Sequence, residues 1–122
     1  MKLFKHKLVA VALLSSISVQ AFAECNEPAT PIIPDGNVAS MDELVSAQKA
    51  MKMYQTSLGT YRDCLKTMES EVDIEAEDAQ EKSAAILANY NGSVDNEAAI
   101  AEEFNSAVRA YKSRQPVEAT AE

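Results

Sequence analysis

Leu44, Ala47, Met51, Tyr54, Leu58, Tyr61, Leu65, Met68 and Val72 follow one another at alternating steps of three and four residues. That spacing keeps them on one face of an α-helix and reads as a coiled-coil heptad seam. Ser40-Met41-Asp42-Glu43 fits a capping box, with Ser40 as N-cap and Glu43 reaching back, so the helix should start at Met41. The same face continues through Ala76, Ala79, Ser83, Ile86 and Tyr90, with a stutter after Val72. Neither Pro nor Gly interrupts residues 60–90, so the pattern predicts one helix from 41 to about 90. The alternative is a break near Ser70, where Glu69, Glu71, Asp73 and Glu75 crowd together. Asn91-Gly92 within residues 89–93 reads as the next turn, with Ser93 capping a second helix. The seam of that helix is Val94, Ala98, Ala101, Phe104, Val108 and Tyr111, and Pro116 ends it, leaving residues 115–122 as a disordered tail. The turn sends the second helix back antiparallel, with Phe104 near Ala79 and Ser83, Val108 near Ala76 and Tyr111 near Val72. The same register sets Arg109, Lys112 and Arg114 against Glu69, Glu71, Glu75 and Glu77.

The N-terminal part follows other rules. Lys2, Lys5 and Lys7 precede an apolar stretch from Leu8 to Val19, and Ala21-Phe22-Ala23 supplies the small residues of a cleavage site before Glu24. Residues 1–23 therefore read as a signal peptide, too short in its apolar part to span a bilayer comfortably. Residues 24–39 form a proline-rich arm, with Pro28, Pro31 and Pro34 spaced by three and so on one face of a polyproline II helix. Asp35-Gly36-Asn37 reads as a turn. An arm folded back along the long helix at about 3.1 Å per residue, against about 1.5 Å per helical residue, brings Cys25 close to Cys64. Export places this cysteine pair where disulfides persist, and a structural Cys25–Cys64 bridge is expected, with an intermolecular bridge or a reactive thiol as alternatives. The prolines would then lie on Ala47, Met51, Tyr54, Leu58 and Tyr61. The expected fold is all-α: a helical hairpin over residues 40–114 with a proline-rich arm stapled to it.

Composition narrows the function. The whole chain has 11 basic and 19 acidic residues, a net charge of −8 and one His. Removal of residues 1–23 takes three lysines and that His, and leaves a net charge of −11. Catalysis by His, His-containing metal sites and His-ligated haem are excluded for such a mature chain. A surface this acidic argues against nucleic acid as a partner.

Pro31-Ile32-Ile33-Pro34-Asp35-Gly36, a Met-rich helix start, a Cys soon after the signal, and Tyr54, Tyr61, Cys64 and Leu65 at their spacing resemble a family of small exported proteobacterial proteins. The resemblance covers residues 25–65. It implies export, a disulfide and a helical form, and carries no activity with it.

Seven acids between Glu69 and Glu81 suit Ca²⁺ or Mg²⁺ by ligand type, but they lack a calcium loop's glycine and read as a solvated helix face. Met41, Met51, Met53 and Met68 offer thioethers to a soft metal, but Met51 and Met68 fall on the seam and read as core. No His is available in the mature chain as base for a Ser or Thr nucleophile, so an enzyme would have to work through carboxylates or Lys. The chain is therefore expected to be a non-enzymatic, periplasmic or secreted helical interaction or structural protein without cofactor or metal. Met51, Tyr54, Leu58, Tyr61, Leu65 and Met68 would be the seam offered to a protein partner, to a second copy, or to clients in a chaperone-like role. The competing reading is a periplasmic protein that binds a small ligand or a divalent or soft metal. No membrane insertion is expected after signal cleavage.

Overall fold

A computed structural model describes residues 24–115. The expected signal peptide over 1–23 and the tail after Gln115 lie outside the described residues. Two helices form the fold, α1 over Met41–Ser70 and α2 over Ala79–Arg114, and no strand occurs among the described residues. They pack against each other as a hairpin, so the all-α hairpin with a disulfide-stapled arm is the observed architecture.

α1 begins as its sequence dictates. The Glu43 N–H donates to Ser40 Oγ over 3.2 Å, and the Ser40 N–H donates to Glu43 Oε2 over 2.7 Å. Two of the unpaired amides of the helix start are thereby satisfied. The helix does not continue to residue 90. It stops at Ser70, and residues 71–78 form the hairpin turn. The acid-rich segment Glu71–Asp78 repels itself and has weak intrinsic helix preference at Val72, Asp73 and Ile74. It closes instead on short-range bonds, with the Glu75 N–H donating to Asp73 Oδ1 over 3.0 Å.

The second correction follows from the first. Asn91-Gly92 is not a turn; α2 runs straight through it for 36 residues. Ser93 caps nothing and instead donates from Oγ to the Tyr90 carbonyl over 2.6 Å within the helix. Local turn preference is outweighed by burial along the rest of α2. Its buried and half-buried positions recur at Ala79, Ser83, Ile86, Tyr90, Ser93, Glu97, Ile100, Phe104, Ala107 and Tyr111, at steps of four and three.

The register shifts accordingly. Phe104 and Tyr111 do not meet the start of α2. They pack beside Ala39, Leu44, Ala107 and Ile33 at the open end of the hairpin. Tyr54, Leu58, Tyr61, Leu65 and Ile86 form the second cluster, towards the turn. Leu65 lies opposite Ile86, and Leu44 opposite Ala107. The expected bridges from Arg109, Lys112 and Arg114 to the acidic run do not form. Arg109 binds Glu102 on its own helix at 2.7 Å. Arg114 donates from Nε to the Gly36 carbonyl over 2.9 Å and from its terminal nitrogen to the Ala39 carbonyl.

The arm lies along one face of this hairpin. Cys25, Pro28, Pro31 and Pro34 are half-buried while Asn26, Glu27, Ala29, Thr30 and Ile32 are exposed, so burial recurs every third residue as three residues per turn requires. Cys25 is bonded to Cys64, with Cα atoms 5.7 Å apart. The arm touches both helices rather than α1 alone: Glu27 Oε1 accepts from Asn96 Nδ2 over 3.0 Å, and Gly36 rests on Ala107 of α2.

Candidate interaction surface

Each residue expected in the partner seam has a definite place. Tyr54, Leu58, Tyr61 and Leu65 are buried against α2 and the arm, with Leu58 wholly inaccessible. Met68 is half-buried at the disulfide, its Sδ 3.1 Å from Cys25 Sγ, and Met51 is half-buried between the two clusters. The seam is thus consumed inside the chain, because α2 offers apolar positions to it in matching register. It is not a surface on which a partner can dock. Burial also pushes the Tyr61 phenol above its ordinary value, with Glu27 adding to the shift.

The methionines do not converge. Met41 and Met68 lie 27 residues apart on one helix, roughly 40 Å along its axis. Among the described residues no group of three or more His, Cys, Asp or Glu side chains is placed to hold a metal ion.

One polar element crosses the core. Arg62 of α1 donates from Nε to Ser93 Oγ and from a terminal nitrogen to the Ser93 carbonyl, each over 2.9 Å, and pairs with Glu97 at 2.7 Å. Its guanidinium also sits 6.0 Å from the Tyr90 ring centroid. Ser93 is fully buried and Glu97 mostly so, which a helix seam tolerates because one guanidinium fills both needs with its fork of donors. The hydroxyl of Tyr54 is the opposite case: it is buried with no hydrogen-bond partner.

The hairpin has two long side faces, and they differ. The first carries the arm. On the second no described segment lies across the helices, and large apolar side chains reach solvent: Leu87 is 60% exposed, Val94 44% and Met41 54%. Leu87, Val94, Ala101 and Val108 follow at seven-residue intervals and so line one stripe of α2. Near the turn the face opens into a groove of about 470 Å³, whose walls include Lys66 and Glu69 from α1 and Ala84 and Leu87 from α2. The expected seam of Val94, Ala98, Ala101, Phe104, Val108 and Tyr111 is split: Phe104 and Tyr111 pack inward, Ala101 and Val108 are half-buried, and Val94 and Ala98 are exposed.

In a chain of net charge −8, helical spacing sets Lys52, Lys66 and Lys112 beside the open stripe, together with Asp63 and Glu69. A second groove, of about 600 Å³, lies beside Cys25, with Leu65, Met68 and Val72 among its walls and Lys82 and Asn89 at its edge.

No described helix is long and apolar enough to cross a membrane. The chain matches no family model, no curated protein and no solved structure.

Proposed function

We propose that the chain is an exported, non-enzymatic helical interaction protein that works through the open face of its hairpin. The observation that carries this is the contrast between the two faces. One is closed by the arm and locked by the disulfide. The other leaves Leu87 and Val94 in water. Leu87 and Val94, two helical turns apart on one line of α2, are the exposed side chains on which this reading rests. Export is supported by the three lysines, the apolar stretch and Ala21-Phe22-Ala23, by the Cys25–Cys64 bridge and by the resemblance to small exported proteobacterial proteins. Cell fractionation with intact-mass measurement tests export: a periplasmic product beginning at Glu24 supports it, and retained residues 1–23 refute it. A photo-crosslinker at Val94, compared with one at exposed Ile74 in the turn, tests the face. Adducts specific to Val94 are expected, and equal adducts at both sites refute the assignment.

The groove beside Cys25 favours a second reading, a small-ligand protein. Its floor of Leu65, Met68, Val72 and Ile86 is apolar, with polar groups at the rim, as ligand sites commonly are. Native mass spectrometry with and without added divalent or soft metal and periplasmic extract distinguishes the two readings.

A further inference from the structure

We propose that the arm is a redox-released strap: reduction of the Cys25–Cys64 bridge lets residues 24–34 swing off the hairpin about the 35–39 turn and uncovers the arm-side flank of Tyr54, Leu58 and Tyr61, while both helices stay folded. This goes beyond the open-face reading and makes no use of that face.

The arm is pinned at two ends by unlike means. At the 35–39 end the anchorage is non-covalent and dense. The Val38 and Ala39 amides donate to the Asp35 carbonyl over 3.1 and 2.8 Å, and the Asn37 N–H donates to Asp35 Oδ1 over 2.9 Å. Arg114 holds the Gly36 and Ala39 carbonyls, and Ala39 packs with Leu44 and Ala107. At the other end stands the bridge to Cys64. Between the two, no backbone group of residues 24–34 bonds to another backbone group among the described residues. Polyproline II has no internal hydrogen bonds, so water satisfies this backbone as well as the hairpin does. A side-chain bond from Asn96 to exposed Glu27 ties the stretch to α2, and such exposed bonds hold weakly. Partial burial of Pro28, Pro31, Ile33 and Pro34 favours docking. The Tyr54 hydroxyl opposes it, because the closed chain shuts that group from water without a partner. Tyr54, Leu58 and Tyr61 lie on α1 between the two anchors, Leu44 and Cys64. Cys25 packs against their cluster, and Glu27 acts on the Tyr61 phenol, so the strap runs beside these rings.

The bridge is within reach of a reductant, since Cys25 forms part of the wall of the 600 Å³ groove. Exchange with a dithiol balances in two steps. A thiolate of the reductant attacks Cys25 Sγ, the S–S bond breaks, and Cys64 leaves as a thiolate and takes a proton. The second thiol of the reductant gives up its proton and attacks its partner sulfur in the mixed disulfide, which expels Cys25. Two electrons pass from the dithiol to the bridge, two protons end on Cys25 and Cys64, and the reductant leaves as a disulfide. Disulfides persist in an oxidising compartment, so the closed strap is the resting state there and a dithiol is what opens it.

The chain contains no Trp, so Tyr61→Trp and Tyr111→Trp place single fluorescent reporters beside the strap and at its hinge. Each full-length chain is read oxidised and after dithiothreitol, with both thiols shown free by alkylation and mass measurement. On reduction the reporter at position 61 is expected to shift to longer wavelength and to be quenched more strongly by acrylamide. The reporter at position 111 and the helical circular dichroism are expected to stay unchanged. Cys25→Ser with Cys64→Ser should give the exposed signal at position 61 without reductant and no response to dithiothreitol. Nile red binding to the chain without reporters should rise on reduction, which checks the result free of any substitution in the seam. No change in Nile red binding and at position 61 overturns the proposal, because the arm then stays docked without its bridge. Exposure at position 111 or loss of helical signal overturns it as well, because the bridge then supports the whole hairpin and not the strap alone.

Discussion

Gly36 and Gly92 make opposite predictions from one substitution, alanine. Gly36 is buried in the turn that joins the arm to α1, and its carbonyl accepts from Arg114. A Cβ there would fall 2.6 Å from the carbonyl carbon of Ala107 and 2.8 Å from its Cα. Those atoms are helix backbone and cannot swing aside. No described residue other than glycine has positive φ, and neither does any glycine, so the obstacle is space alone. Alanine must lift the 35–38 turn off α2, loosening the packing of Ala39, Leu44 and Ala107 and the Arg114 bonds. Overpacking of this kind costs about 1–3 kcal/mol. At Gly92 nothing lies within 4 Å of the new methyl, and the residue sits inside α2. There alanine lowers the backbone entropy of the unfolded chain and is expected to add about 0.5–1 kcal/mol. For a domain of this size each 1 kcal/mol moves Tm by about 4–8 °C. Gly36→Ala should therefore melt some 8–16 °C lower at about 2 kcal/mol, and Gly92→Ala roughly 2–8 °C higher, followed by helical circular dichroism on the oxidised protein. A lower Tm for Gly92→Ala would restore the turn at Asn91-Gly92 and sink the continuous α2. A neutral Gly36→Ala would mean that the turn does not rest on Ala107.

Three further tests address other contacts. Reduction, or Cys64→Ala, should cost about 4 kcal/mol on loop-entropy grounds for a bridge spanning 39 residues; limited proteolysis should then cut near Pro28, while residues 35–39 stay protected by their contacts with Ala107 and Arg114, and cleavage confined to residues 35–39 would contradict this. Tyr54→Phe removes the buried hydroxyl that lacks a partner and should raise stability by about 1 kcal/mol in denaturant titration, whereas a loss of that size would reveal a bonded hydroxyl. The Asp35 and Glu43 carboxyls are held below their ordinary values by hydrogen bonds from Asn37 and Ser40. Their stabilisation is complete above the ordinary carboxylate value and fades as pH falls through the lowered one, so below about pH 4 amide exchange should rise first in residues 35–43; uniform loosening of both helices instead would refute it.

The α1 seam and the three-residue rhythm of the arm were legible as local periodicities, the capping box as a four-residue motif, and the disulfide from the match between arm length and helix rise. The α1–α2 turn was legible only as the alternative: the crowding of Glu69, Glu71, Asp73 and Glu75 marked a break near Ser70, but residues 71–78 contain no Gly or Pro, and Asn91-Gly92 outweighed them on paper. What decides is tertiary: α2 must place Ile86, Tyr90 and Phe104 on the same line as Ala107, and only a helix unbroken at Gly92 does so. The inner seam of α2 was hidden for a related reason. Ser93 and Glu97 occupy two of its positions and read as polar surface until Arg62, 31 residues before Ser93, is seen to satisfy both. A pairing between a charge on one helix and two polar residues on another leaves no periodic trace in either.

That hidden seam explains why α2 carries two apolar lines while α1 carries one. Ile86, Tyr90, Ile100, Phe104 and Ala107 face α1; Leu87, Val94, Ala101 and Val108 lie about 100° round the helix, one step along the chain. A helix that served a two-helix hairpin alone would need the first line only, since exposing Leu87 and Val94 gains the monomer nothing. Nor are these positions needed for the disulfide, which joins the arm to α1. The polar crossing has a matching logic. By turning Ser93 and Glu97 inward onto Arg62, the chain withdraws one acid and one base from the border of the open face and leaves its centre at Val94 uncharged. Val94→Glu therefore changes the one property that neither the core nor the arm requires, and a defect confined to association would locate the working surface of this protein.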